Sequence, residues 1–218
     1  FTKNKPSKLS EYQVVPRILD LSIVRTPTFL EGQFGLDFIE EYEGRVEKDF
    51  DNNSVLNVLN HDPKNGVVTG SNPYAVILAN QVGSQIGLRV VSPAELEGIL
   101  SRKELPLSGF YVDTGLVFRA EDNPNAYIAK SIAEQLRNRG KESGNPYLIP
   151  LAGLELGKDE NSPSGLVFNF TDRTQIIEAP VLTGSSNKKR FSKTDEFGLP
   201  ILDNKGNRTL YTRTDNSG

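Results

Sequence analysis

The chain has 218 residues, of which 36% are hydrophobic and 24% charged, with a formal net charge of −3. That length suits one substantial domain, or a domain with an appendage, and the composition is that of a globular chain rather than a disordered one. The negative balance argues against a protein whose main business is wrapping duplex nucleic acid but leaves room for a local basic patch, and the absence of cysteine excludes disulfides, thiolate nucleophiles, thiolate zinc sites and iron–sulfur clusters.

No apolar run approaches the roughly 18 residues needed to span a bilayer, and no basic–apolar–small pattern is read at the start. A disulfide-free chain with a good apolar pattern suits the cytoplasm. The sequence opens on Phe1 without any methionine, as expected either of a removed initiator or of part of a longer protein.

The first ten residues are polar and basic. Ile18 to Val24 reads as a strand. Thr28 followed by Glu31 is a capping-box pattern, and Leu30, Phe34, Phe38, Tyr42, Val46 and Phe50 recur every fourth residue as one apolar helix face. Three glycines along it (Gly32, Gly35, Gly44) lower its intrinsic propensity, so tertiary packing must hold this helix.

Next comes GVVTGSNPYAVILANQVGSQIGLRVV (Gly66 to Val91). Val67-Val68 ends a strand, Asn72 is placed as N-cap by Pro73 at the first helical position, and Gly87 supplies the stop. Leu88 to Val91 is expected as a short buried strand. Ser92-Pro93-Ala94-Glu95 is a second capping box opening a second helix. This alternation favours a parallel or mixed sheet covered by helices.

GFYVDTGLVFRAE reads as two strands with Asp113-Thr114-Gly115 as the turn. Tyr111 to Gly115 resembles the apolar–Asp–Thr–Gly segment of retropepsin-like aspartic proteases, which would imply a homodimer sharing its carboxylates. Leu116 stands where that family has a small residue, and a hairpin turn uses Asp-Thr-Gly equally well. Asn123 and Pro124 start a helix whose face is Tyr127, Ile128, Ile132 and Leu136, and Gly140 ends it. PYLIPLAGLEL, GLVFNFT and QIIEAPVL follow as strands of more antiparallel character. GLVF occurs at both Gly115 and Gly165, too short a match to establish a duplication. The expected fold is therefore one mixed α/β domain, residues 1–182, with helices on a mixed sheet and a more antiparallel C-terminal portion. Residues 183–218 read as a polar loop and a peripheral hairpin.

Two strand-to-helix junctions are the candidate sites. Thr69, Gly70, Ser71 and Asn72 would present backbone amides and hydroxyls at the positive end of a helix, where phosphates and carboxylates are held. The segment matches neither nucleotide-binding glycine motif, and capping alone also explains it. Glu121 and Asp122 would supply a base or a metal ligand at the second junction, or simply open the helix. His61, the one histidine, excludes multi-histidine sites within one chain and is the candidate proton shuttle near neutral pH; its polar neighbours Asn60, Asp62 and Pro63 suggest an exposed loop. No metal site or cofactor is assigned from the sequence. Lys188-Lys189-Arg190 is a basic cluster with Asp195 and Glu196 close by, which reads as solvated surface.

The leading expectation is a soluble α/β protein binding a small anionic or phosphorylated ligand, with enzymatic activity left open. The alternative is a non-catalytic interaction or structural module of a larger assembly, or a homo-oligomer, and the third is nucleic-acid binding through the basic loop. No membrane partner is expected.

Overall fold

A computed structural model describes residue 9 and residues 30–91, 116–119, 127–141 and 147–178. The expected Ile18 to Val24 strand, the Ser92 capping box and its helix, the Asp113-Thr114-Gly115 turn, the Asn123-Pro124 helix start and the tail from Thr183 lie outside these residues. The chain divides into two compact units, Phe1–Val90 with Leu151–Asp172, and Val91–Pro150 with Arg173–Gly218.

In the first unit, helix α1 (Gly32–Phe50) buries Phe38, Tyr42, Val46 and Phe50 on the face that the four-residue spacing predicts. The Thr28–Glu31 capping box does not start it. Glu31 is itself the N-cap, extended at φ −134° and ψ 161°, with no side-chain capping bond. A tertiary ladder competes with the local motif and wins. Val68 N–H donates to Leu30 O (2.8 Å), Gly32 N–H donates to Gly66 O (2.7 Å), and Glu31 bridges Val67. The helix ends in two successive left-handed residues, Asp51 and Asn52, whose amides both reach the Val46 carbonyl.

Strands β1 (Asn60–His61) and β2 (Val68–Thr69) form an antiparallel hairpin with Asn60 opposite Thr69 and His61 opposite Val68. Helix α2 (Pro73–Ser84) follows. Asn72 caps it as expected, its Oδ1 accepting the Ala75 N–H at 2.8 Å. Gly87 stops it as expected, at φ +74°. Leu88 N–H returns to Gly83 O (2.9 Å) and Gly87 N–H to Ser84 O (3.3 Å), the paired bonds of a Schellman motif.

Ala75, Val76, Ile77, Leu78 and Val82 are all buried, so α2 is apolar around most of its circumference and forms the centre of the unit. It packs on α1, on β5 (Leu154–Lys158) and on the 3₁₀ turn Leu151–Gly153. Strand β5 pairs antiparallel with β6 (Leu166–Phe170), and Tyr74 of α2 meets Phe168 edge-on with ring centroids 5.0 Å apart. Each such buried aliphatic side chain stabilises the fold by about 1.5–3 kcal/mol relative to exposure.

Leu88 to Val91 is not the buried strand expected from its composition. It joins no ladder, Arg89 is exposed, and the Val90 N–H is held by Asn80 Oδ1 (2.8 Å). The Schellman turn throws the chain back along α2, where a side-chain amide satisfies its backbone.

In the second unit, β3 (Leu116–Arg119), β4 (Tyr147–Pro150) and β7 (Ile177–Glu178) form an antiparallel sheet with β4 in the middle. Helix α3 (Tyr127–Asn138) packs on β3 and buries Ile132, Ala133 and Leu136. Its end is a second Schellman motif at Gly140, with Lys141 N–H on Leu136 O (3.0 Å) and Gly140 N–H on Arg137 O (2.9 Å). The mixed α/β class is as expected. The sheets differ in detail, because every strand pair among the described residues is antiparallel. PYLIPLAGLEL is not one strand but two, β4 and β5, separated by the 3₁₀ turn and belonging to different sheets.

Candidate functional site

The Thr69–Asn72 turn is built by the approach of an earlier loop. Gly70 sits at φ +85°, and a Cβ there would lie 1.9 Å from the Val58 carbonyl oxygen. Glycine is required twice, by the left-handed backbone and by the contact. The Asn72 side chain is engaged at both ends, with Oδ1 on the Ala75 N–H and Nδ2 donating to Val55 O at 2.7 Å. Thr69 Oγ1 reaches Asn60 O at 3.4 Å, a long contact across the hairpin. Gly70 and Ser71 are exposed.

An anion site at a helix start needs amide donors directed at solvent. Here Pro73 carries none, Ala75 is taken by the Asn72 side chain and Val76 by the Asn72 carbonyl (3.0 Å). The Val58 oxygen, a negative dipole end, faces the glycine. The 55–58 segment that supplies these two carbonyls is itself pinned, with Val58 N–H on Leu56 O (2.9 Å) and Asn60 Nδ2 on Val58 O (3.1 Å).

His61 is not in an exposed loop. It lies in β1 opposite Val68, half-buried, with Nε2 fully enclosed. Among the described residues, His61 Nε2, Asn80 Nδ2 and Gln81 Oε1 are the buried side-chain atoms without a hydrogen-bond partner. The expectation failed because Asn60 and Asp62 are polar for hairpin reasons, and the ladder between them encloses the ring. The hairpin brings His61 and Thr69 to adjacent register positions, but alternation along a strand sends their side chains to opposite faces. Val68 shares the His61 face and lies against Gly35 of α1. His61 and the turn are thus neighbours in the backbone and separate as chemistry. Glu121 and Asp122 lie outside the described residues, as does the Lys188-Lys189-Arg190 cluster.

A second polar cluster was missed by the sequence reading. Ser162 and Ser164 share a hydrogen bond (2.9 Å), the Ser164 hydroxyl lies 3.2 Å from that of Tyr74, and Asn53 Nδ2 donates to Ser164 O (2.8 Å). With Lys158 Nζ on Asp51 Oδ2 (2.6 Å), these contacts tie the end of α1 to the β5–β6 loop. More than a hundred residues separate Asn53 from Ser164 and Asp51 from Lys158, and no local pattern announces such a pairing. Among the described residues no group of three or more histidine, aspartate or glutamate side chains is placed to hold a metal ion, and no helix is long and apolar enough to cross a membrane. No family model, no curated protein and no solved structure matches the chain.

Proposed function

We propose that this chain is a non-catalytic interaction or structural module. The observation that supports this reading is the closure of the Thr69–Asn72 turn on itself, with the Asn72 amide used at both ends and the Val58 carbonyl set against Gly70. The Asn72 side chain and the Ala75 and Val76 amides, which could have served a ligand, serve the fold. On this reading the protein acts through surface contact with a protein partner or a second copy of itself, as a soluble, cytoplasmic component. The cytoplasmic placement rests on its cysteine-free composition.

A thermal-shift screen of the full chain against inorganic phosphate, nucleotides, sugar phosphates, carboxylates and divalent metals is expected to be flat. A ligand at about 100 times its dissociation constant would add roughly 2.7 kcal/mol, several degrees or less at this size. Sedimentation velocity over a broad concentration range is expected to show self-association, or a partner to be recovered on the immobilised chain. A strictly monomeric chain with no recoverable partner counts against the module.

The second reading keeps a small anionic ligand at Thr69, Gly70 and Ser71, with Glu121 or Asp122 as base or metal ligand. It is favoured by the exposure of Gly70 and Ser71 at the positive end of α2. A thermal shift with phosphate that disappears in Ser71→Ala would put this reading in place of the first.

A further inference from the structure

The loop joining β1 to β2, Asp62-Pro63-Lys64-Asn65-Gly66-Val67, is organised around one residue. The Asp62 N–H donates to Val67 O (2.8 Å), and its carbonyl accepts the Gly66 N–H (2.8 Å). One carboxylate oxygen accepts the Lys64 N–H (2.9 Å) and the other the Asn65 side-chain amide (2.7 Å). Asn65 is exposed, and Gly66 sits at φ +68° with open space where a side chain would be.

Asparagine followed by glycine is the least hindered setting for a spontaneous covalent reaction, and it makes this asparagine chemically labile. The main-chain nitrogen of Gly66, on losing its proton, attacks Cγ of Asn65. A C–N bond closes the five-membered succinimide, the bond from Cγ to the side-chain nitrogen breaks, and that nitrogen leaves as ammonia with the proton. Water then opens the ring at either carbonyl, leaving an aspartyl or an isoaspartyl residue. The step needs the Gly66 N–H available and the Asn65 side chain turned onto that nitrogen. In this loop Asp62 takes both groups, the first on its carbonyl and the second on its carboxylate.

We propose that Asn65–Gly66 is a self-modification site held shut by Asp62. The intact loop delays cyclisation, and loss of the Asp62 carboxylate releases it. The product reinforces its own opening. A carboxylate at position 65 faces that of Asp62, where an amide donor stood before, and like charges repel. The isoaspartyl form also lengthens the main chain beside Gly66, whose carbonyl accepts the N–H of Gly32, the first residue of α1.

The test is peptide-mapping mass spectrometry of the full chain incubated in mildly alkaline buffer at physiological temperature, folded and in urea, for wild type and Asp62→Ala. Charge-assisted hydrogen bonds of this kind correspond to about a tenfold effect on opening. Conversion at Asn65 should be at least about tenfold slower in the folded wild type than in urea, and folded Asp62→Ala, which frees the Asn65 side chain but keeps the Gly66 N–H on the main-chain carbonyl of residue 62, should convert faster than the folded wild type while staying below the urea rate. Far-UV circular dichroism establishes that the variant is folded; if it is not, Asp62→Asn replaces it, which keeps an acceptor for Lys64 and sets an amide opposite Asn65. Equal folded and unfolded rates in the wild type, or a folded Asp62 variant no faster than wild type, overturn the proposal.

Discussion

At Gly70 a backbone angle and a non-bonded contact impose the same residue, and the two constraints separate experimentally. Gly70→Ala meets both the left-handed backbone and the Val58 oxygen, whereas Gly66→Ala meets the left-handed backbone alone. Chemical denaturation should show a loss of about 1–2 kcal/mol for Gly66→Ala and about 2–4 kcal/mol for Gly70→Ala. Equal losses would mean that the 55–58 segment moves aside without cost. The same residues show what the sequence carried at this scale. Asn72 before Pro73 is a local signal for a helix start, and it read correctly. The Val55 and Val58 carbonyls that close the turn act through the main chain from more than ten positions away, so no side-chain pattern encodes them. The enclosure of His61 was hidden for the same reason, because ladder partners decide it rather than the polar neighbours.

Helix α1 shows periodicity outranking capping. Its buried face followed from spacing alone, while its start was set by the pairing of residues 30–32 with 66–68, a long-range ladder that the Thr28–Glu31 pattern could not foresee. Tyr42 is the chemical landmark of that face. It is almost wholly buried and donates its hydroxyl to the Leu56 carbonyl at 2.9 Å. Burial pushes its phenol well above the ordinary value of 10.0. The folded state therefore binds this proton more tightly than the unfolded state. The resulting stability is complete below about pH 10 and falls as pH rises above it, by up to about 1.4 kcal/mol per pH unit. Tyr42→Phe should cost about 1–2 kcal/mol at neutral pH by leaving the Leu56 carbonyl unpaired. It should also flatten the alkaline limb of a plot of stability against pH measured by urea titration. A limb that keeps its slope in the variant would assign the titration to another group.

At the scale of the whole chain, the mixed α/β class was legible because helix and strand periods differ and are read within short windows. The breaking of PYLIPLAGLEL into two strands of different sheets was not, since Leu151-Ala152-Gly153 is apolar throughout and only the missing N–H of Pro150 hints at an interruption. The consequence is that the first unit is discontinuous in sequence, its α1, α2 and β1–β2 hairpin needing the β5–β6 hairpin from far downstream. A chain ending at residue 150 should retain less helix than the intact protein and lose cooperative thermal unfolding by circular dichroism. Full retention would show that α2 finds adequate cover without β5. The arrangement also sets a clock. At the usual pace of synthesis, about 5–20 residues per second, α2 is finished roughly 3–13 s before Leu151 arrives to begin the segment that packs on it. During that interval the nascent chain carries an apolar helix with no hairpin to dock on, a natural stretch for a holding chaperone to shield, and the core closes only once the β5–β6 hairpin has been made.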